Sequence, residues 1–299
     1  MRVIVTGASG FIGKELCSKL LERGHQVVGL SRTRGVSENT SLNFFQHIPY
    51  LMGEKLPTEA ISFSPEVLVH LAWNGIPDFS ERKCLDNVES QLRFLKETEK
   101  LHQLKKIVAA GTCREYGAKE GACAEWERVQ PDSFFSWAKQ TLADYFKLAC
   151  QQRQTKLVWF RIFYIYGPGQ RAASLIPSLI KAFKSKLKPE IRNANAANDF
   201  IYIDDVISAF IKSIENNECQ GTFNLGSGSL TSVAKISDIV ERTIQNGEEL
   251  STQFDIHLVG GVADSGMWAD TAFLKSQLDW APKIGLVDGI QRTCRSALA

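Results

Sequence analysis

Met1–Lys14 reads MRVIVTGASGFIGK, and the fold is decided there. Val3, Ile4 and Val5 form a short β-branched apolar run of the kind a buried parallel strand carries. Gly7, Gly10 and Gly13 follow at a spacing of three. Phe11, Ile12, Leu16 and Leu20 then recur at helical spacing. Strand, glycine turn and helix together make an anion site. The glycines let backbone N–H groups close on a pyrophosphate, and the helix N-terminus adds its dipole. The spacing is G-x-x-G-x-x-G, wider than the usual G-x-G-x-x-G. A glycine triplet also marks ordinary turns. Its place between this strand and this helix is what points to a dinucleotide.

Outward from that stretch, Gln26–Leu30 (QVVGL) predicts a second strand after a turn at Gly24. In a dinucleotide fold, an acid about 20 residues past the glycines holds the ribose hydroxyls of NAD, whereas arginine accommodates the 2′-phosphate of NADP. Here the strand ends Ser31-Arg32-Thr33-Arg34-Gly35, without an acid. Two readings are open: solvated surface arginines, or an NADP(H) site with Ser31, Arg32 and Arg34 around the phosphate.

Further on, Leu42–Phe45 suggests a strand and Glu59–Phe63 part of a helix. Glu66–Leu71 (EVLVHL) reads as a buried strand that continues through Ala72 and Trp73 into a loop turned by Gly75 and Pro77. A helix over about 80–102 carries Leu85, Val88, Leu92, Leu95 and Leu101, and Lys106–Ala110 (KIVAA) is another strand. After GTCREYG at 111–117, residues 118–135 read as loop, and a helix runs from about Ser136 to Gln152. Leu157–Phe163 is a strand, and Leu175–Lys184 a helix. Phe200–Ile203 is a strand before a helix to Ile214 that Asp204 and Asp205 would cap. Thr222–Leu225 is a strand, and helices near Val233–Gln245 and Thr271–Leu278 complete the chain. This alternation predicts an α/β protein with a doubly wound parallel sheet. We expect a Rossmann domain over 1–165 and a smaller C-terminal α/β substrate lobe over 166–299, with segments at about 198–225 returning to the first domain.

The 299 residues carry 35 Lys+Arg against 33 Asp+Glu, a net +2, so neither nucleic acid nor an anionic membrane is expected as a partner. Seven scattered cysteines with no C-x-x-C predict reduced thiols, a cytoplasmic protein and no metal site. The chain opens directly on a strand, and no apolar run reaches roughly 18 residues, so neither a leader nor a membrane span is expected. His25, His47, His102 and His257 show no ligand spacing and read as surface or loop residues, while His70 ends a buried strand and reads as core.

Together these stretches resemble the extended short-chain dehydrogenase/reductase family, in particular its nucleotide-sugar epimerases, dehydratases and 4-ketosugar reductases. TGASGFIG at Thr6–Gly13 is similar to the cofactor loop, and HLAW at His70–Trp73 to the strand end flanking the cofactor. Asn87-Val88 resembles an N-V pair on the helix behind it. GTCREYG resembles the segment with the catalytic Ser/Thr, and RIFYIYGPGQ at Arg161–Gln170 the strand and loop bordering nicotinamide and sugar. NDFIYIDDV at Asn198–Val206, WADT at Trp268–Thr271 and LDWAPK at Leu278–Lys283 resemble the later signatures. The resemblance implies cofactor contacts from Gly7, Ser9, Gly10, Phe11, Ile12, Gly13, Leu71, Ala72, Asn87 and Lys139. It implies a sugar-side oxygen held by Thr112, and substrate contacts from Trp73, Cys113, Tyr164, Arg171 and Asn198. It also implies a homodimer through the helices at about 80–102 and 136–152, for which Leu85, Leu92, Leu95, Leu142 and Phe146 would supply apolar surface.

The chain departs from that pattern at its centre. Alignment on Lys139 puts Phe135 where the family's acid/base Tyr belongs. A phenyl ring neither gives nor takes a proton. Three readings of Phe135 are open: a substitution that traps a complex, a natural divergence with another acid, and loss of activity. Tyr116, Tyr164, Tyr166, Cys113 and a water held by Thr112 are the substitute donors. The Asp-Glu pair that dehydratases carry after the Thr is Cys113-Arg114 here, which argues against dehydration. The arginine expected before Asp199 is Asn198, and the Asn expected at the end of the RIFYIYG strand is Tyr164; two readings of Arg171 and Arg192 are open, partners of a diphosphate or solvated surface charges. The resulting expectation is an NADPH-dependent reductase of a nucleotide-activated 4-keto-6-deoxy sugar. An epimerase is the alternative within the family. A catalytically silent NADP(H)-binding sensor is the alternative outside enzyme chemistry.

Overall fold

The computed structural model describes residues 1–32, 45–246 and 265–298. They divide into two compact units, Met1–Ala118 with Glu127–Arg161 and Ile207–Phe223, and Lys119–Trp126 with Ile162–Val206 and Asn224–Ala299.

The principal sheet has seven strands in the order Gly221–Leu225, Lys156–Ile162, Lys106–Ala110, Val67–His70, Arg2–Thr6, Gln26–Ser31 and Phe45–Pro49. The pairs from Lys156–Ile162 through Phe45–Pro49 are all parallel. A parallel sheet is covered on both faces, so its strands read as continuous apolar runs rather than as alternation. Alternate residues nevertheless go to different sides. Ile4, Leu68, Ile107 and Ala109 share one cluster with Phe94, Leu95, Leu142 and Phe146, from the helices Glu81–Glu97 and Phe134–Gln152. Phe160 meets Phe210, from the helix Ile203–Glu215, at 4.9 Å between ring centres. The strand order turns back between Arg2–Thr6 and Val67–His70, and ligands of open α/β sheets sit outside the strand ends at such a point.

The second unit holds a three-stranded sheet, Leu230–Ser232, Ala197–Tyr202 and Tyr164–Tyr166, and a two-stranded one, Met267–Ala269 with Gly121–Cys123. Asp199 organises this unit. Its Oδ1 accepts from the Ser227 N–H and hydroxyl at 2.7 and 2.6 Å, and its Oδ2 from the N–H groups of Gly228 and Ala269 at 2.9 and 3.0 Å.

Several expectations need correction. The chain ends in a further helix, Leu286–Leu298, which the sequence reading stops short of. Residues 118–135 contain the strand Gly121–Cys123 and are not loop throughout. Asp204 and Asp205 lie inside the first turn of their helix rather than capping it, and Asp205 receives the N–H groups of Lys283 and Ile284. His25 is not a surface residue: it is 6 % exposed, with Nε2 3.1 Å from Glu215. Leu95, Leu142 and Phe146 are fully buried core residues and offer no surface to a second copy.

No helix among the described residues is long and apolar enough to cross a membrane. The described residues hold no cluster of three or more His, Cys, Asp or Glu suited to a metal ion.

Candidate active site

The glycine loop has the form that close backbone approach demands. Gly7 sits at φ 70, and a Cβ there would lie 3.0 Å from the Ala72 nitrogen. A Cβ on Gly13 would run into the Gly7 carbonyl, so the first turn of the helix Phe11–Glu22 can pack on the loop only with glycine there. Gly10 is the N-cap and brings no side-chain oxygen to the helix start. The N–H groups of that first turn point out of the helix with no side-chain cap. Together with the dipole they fit the pyrophosphate of a dinucleotide. Ser9, Phe11 and Ile12 are half-buried on this loop, as an approach to a ligand requires.

A buried polar chain fixes the loop to the neighbouring strand end. The Thr6 hydroxyl lies 2.9 Å from His70 Nδ1 and accepts the N–H groups of Leu71 and Ala72 at 3.2 and 3.3 Å. His70 Nε2 lies 2.9 Å from Gln91 Oε1. Gln91 offers an acceptor, so Nε2 carries the proton and Nδ1 accepts from Thr6. Burial pushes His70 down to about 4, which keeps the ring neutral in this role. Asn87 acts in the same way one step out. It accepts the Asn74 N–H at 2.8 Å and donates to the Asn74 and Lys83 carbonyls at 2.9 and 2.8 Å, holding the loop after Trp73. Thr6, Gln91 and Asn74 escape a sequence reading, because their partners are tens of residues distant or in loop.

At the second strand end, Ser31 is buried with Oγ 2.7 Å from His47 Nε2, and Arg32 is exposed. Arg34 lies outside the described residues.

The helix Phe134–Gln152 begins two residues before its expected start because Ser133 caps it, with reciprocal hydrogen bonds to Ser136. Phe135 and Lys139 therefore stand one turn apart on one face. Lys139 is 8 % exposed. Its Nζ donates to the Ala110 carbonyl at 2.9 Å and lies 4.5 Å from the centre of the Trp73 ring. Burial pushes its ammonium down to about 8, with Glu115 acting in the opposite direction. Phe135 is half-buried, 4.5 Å from Phe79 and 5.2 Å edge-on from Trp73 between ring centres. The Trp73 Nε1 is buried and finds no hydrogen-bond partner among the described residues. Phe79 completes this aromatic group without any signal in the sequence.

Thr112 is half-buried at the N-terminus of the 3-10 turn Cys113–Tyr116, where its side chain and Glu115 form a capping box. Cys113 is 3 % exposed, and Arg114 is paired with Asp132 at 2.9 Å. Tyr116 is 2 % exposed and accepts from Arg161 at 3.0 Å. In the second unit, Tyr166 is 1 % exposed with its hydroxyl on the Leu286 carbonyl, and burial drives its phenol well above the ordinary range. Tyr164 is half-buried against Phe200 at 5.8 Å, Asn198 is half-buried on its strand opposite Thr231, and Arg171 and Arg192 are exposed.

The chain is similar to known proteins along nearly its whole length. The chain is 25% identical over 309 residues to the dTDP-4-dehydro-6-deoxyglucose reductase of Escherichia coli, covering 98% of this chain and 96% of that protein. It is 25% identical to the UDP-glucose 4-epimerase of Mycolicibacterium smegmatis, over 98% and 97% of the two chains. Among solved structures, a UDP-glucuronic acid 4-epimerase from Bacillus cereus with a sugar nucleotide and NAD superposes with TM-score 0.81 at 25% identity, over 99% and 98% of the chains. The UDP-glucose 4-epimerase of Thermotoga maritima, at 22% identity and TM-score 0.83 over 100% and 99%, shares the fold. The model of the NAD dependent epimerase/dehydratase family matches residues 3–226, and the chain belongs to that family.

Proposed function

We propose that the protein is an NADPH-dependent reductase that acts on the keto group of a nucleotide-activated 4-keto-6-deoxy sugar, in deoxysugar or surface polysaccharide biosynthesis. The observation that carries this reading is a buried Lys139, held on the Ala110 carbonyl two residues before Thr112, with no acid/base pair at the two positions that follow Thr112. Cys113 is buried and Arg114 is engaged with Asp132, so neither of the two positions after Thr112 offers a carboxylate for water elimination. Relatives named for 4-keto-6-deoxy sugar reduction support the substrate class. Relatives named as epimerases match the chain as well, so an epimerase acting on the same class of sugar is the second reading.

Gly7, Gly10 and Gly13 would seat the pyrophosphate, and Ser9, Phe11 and Ile12 the adjoining groups. Leu71, Ala72 and Asn87 would line the other side, and Lys139 would hold the nicotinamide ribose. Arg32, at a strand end with no acid, supports NADP(H), with Ser31 and Arg34 beside it. When bound, the cofactor supplies a hydride. Thr112 orients the sugar oxygen, and Trp73, Cys113, Tyr164, Arg171 and Asn198 contact the substrate. Phe135 occupies the donor position, so the proton comes from solvent held at Thr112, which makes this chain slow. A form that only binds NADP(H) is the limit of that slowness.

The seven cysteines are buried and none is joined in a disulfide, which fits a reducing, cytoplasmic setting. Leu85, Tyr145 and Leu148 are 47%, 40% and 60% exposed on the two long helices and would face a second copy in a homodimer. In sedimentation velocity, Leu148→Glu should convert a dimer to a monomer; a wild type that is already monomeric removes the homodimer. For the function itself, purified protein is titrated with NADPH and NADH, then assayed with 4-keto-6-deoxy sugar nucleotides. Tighter NADH binding, or epimerisation without net reduction, would defeat the reductase reading.

A further inference from the structure

We propose that Glu115 is a positioning residue that fixes the backbone of Thr112 and places a buried negative charge where Lys139 feels it. This rests on the assignment of Thr112 and Lys139 to the sugar and cofactor sides.

Glu115 is fully buried. Its Oε1 accepts the Thr112 N–H at 2.9 Å and the Trp159 Nε1 at 3.1 Å, and its Oε2 accepts the Arg161 Nε at 2.9 Å. The Glu115 N–H in turn donates to the Thr112 carbonyl at 3.1 Å. The peptide groups on both sides of Thr112 are thus tied to one residue. Arg161 is itself braced: it donates to the Tyr116 hydroxyl at 3.0 Å and lies 4.7 Å from the centre of that ring. Gly111, between Thr112 and the carbonyl that receives Lys139, is pressed on the same carboxylate. A Cβ there would lie 2.6 Å from Glu115 Oε1 and would run into the Trp159 indole.

Every one of these side-chain partners donates. A proton on Glu115 would have no acceptor among them, so the hydrogen bonding selects the carboxylate over the acid. Burial works the other way, raising its pKa, while Arg161 and the donors hold it down. The titratable groups around the two side chains include His70, Cys113, Tyr116 and Arg161. His70 is neutral. What reaches Lys139 is the charge of Glu115, which supports its ammonium against burial. A glutamine would serve the Thr112 N–H equally well but would carry no charge to Lys139.

The ligand-free protein tests this, because the Trp73 ring lies 4.5 Å from Lys139 Nζ and its fluorescence responds to that charge. Wild type should show a pH transition near about 8, absent from Trp73→Phe and from Lys139→Met. In Glu115→Gln the midpoint should fall by roughly one pH unit. Because that variant leaves Arg161 buried opposite a neutral group, Glu115→Gln/Arg161→Met removes both charges and should move the midpoint in the same direction. A midpoint that stays in place in both variants, or a transition that survives in Lys139→Met, overturns the proposal. Neither cofactor nor substrate enters the titration. Failure of the reductase reading appears separately, as tighter NADH binding or epimerisation without net reduction by the wild type.

Discussion

The rings of Phe79 and Phe135 lie 4.5 Å apart, and Trp73 meets Phe135 edge-on. An apolar group thus surrounds the position where the family pattern calls for a phenol, one helical turn from an intact Lys139. Tyrosine differs from phenylalanine there by one oxygen, and Phe135 is only half-buried, so the hydroxyl has room to reach solvent or ligand. Phe135→Tyr should leave the melting temperature close to wild type. It should raise turnover of a 4-keto-6-deoxy sugar nucleotide by about 100-fold, the usual scale of a positioned proton donor. Steady-state kinetics of the two proteins decide it. Equal turnover would mean that another group already delivers the proton.

On the proposed reading, Arg32 selects the cofactor. It is exposed, at the end of the strand Gln26–Ser31. A guanidinium on a phosphate contributes a charge-assisted hydrogen bond, worth about 1.5–3 kcal/mol. Arg32→Ala should therefore weaken NADPH roughly ten-fold or more while leaving NADH nearly unchanged. Fluorescence titration with both cofactors measures the ratio. An equal loss for both would assign Arg32 to the surface.

His70 gives the protein a pH signature that does not depend on catalysis. Burial lowers its folded pKa to about 4 from an ordinary 6.5. Between those values the unfolded chain binds a proton that the folded chain refuses, so stability falls as pH drops through that window. The full effect is about 3 kcal/mol, with a slope of roughly 1.4 kcal/mol per pH unit. His70→Phe keeps the stacking on Phe94 and Phe146, at 5.2 and 5.3 Å, and removes the titration. Urea unfolding at pH 5 to 6.5 should show a steeper acid loss for wild type than for the variant. Parallel curves would mean that His70 is charged or solvated.

How far each feature could be read in the sequence follows the distance over which its cause acts. Strand, loop and first helix are written within Met1–Lys14, because glycine sterics and helical periodicity are local. Glu115 and Arg161 are 46 residues apart, and neither is exceptional until the sheet brings the turn after Lys106–Ala110 beside the strand Lys156–Ile162. His25 reads as a surface or loop residue, and the Glu215 that holds its Nε2 lies far along the chain. The strands Gly121–Cys123 and Met267–Ala269 are three residues each and exist by pairing alone. In the helix Leu286–Leu298, Gly289 argues against helix by propensity. Packing requires it: a Cβ at Gly289 would run into the Tyr166 hydroxyl. Lys139 and Phe135 were legible as an i, i+4 pair. The aromatic partner Phe79 was not, since a loop has no period.

Asp199 tests the second unit without reference to the first. Both of its oxygens receive N–H donors: Oδ1 from Ser227, Oδ2 from Gly228 and Ala269. An amide in its place must turn an NH2 toward one of these sets, whichever way it is flipped. Asp199→Asn therefore leaves buried donors facing a donor, a defect of about 3 kcal/mol or more. Urea unfolding should show that loss. Hydrogen exchange should localise it to the amides of Ser227, Gly228 and Ala269, while protection in the strand Arg2–Thr6 is retained. A loss spread evenly through both units would mean that Asp199 supports more than its own unit. Loss below about 0.5 kcal/mol would mean that water replaces the carboxylate at little cost.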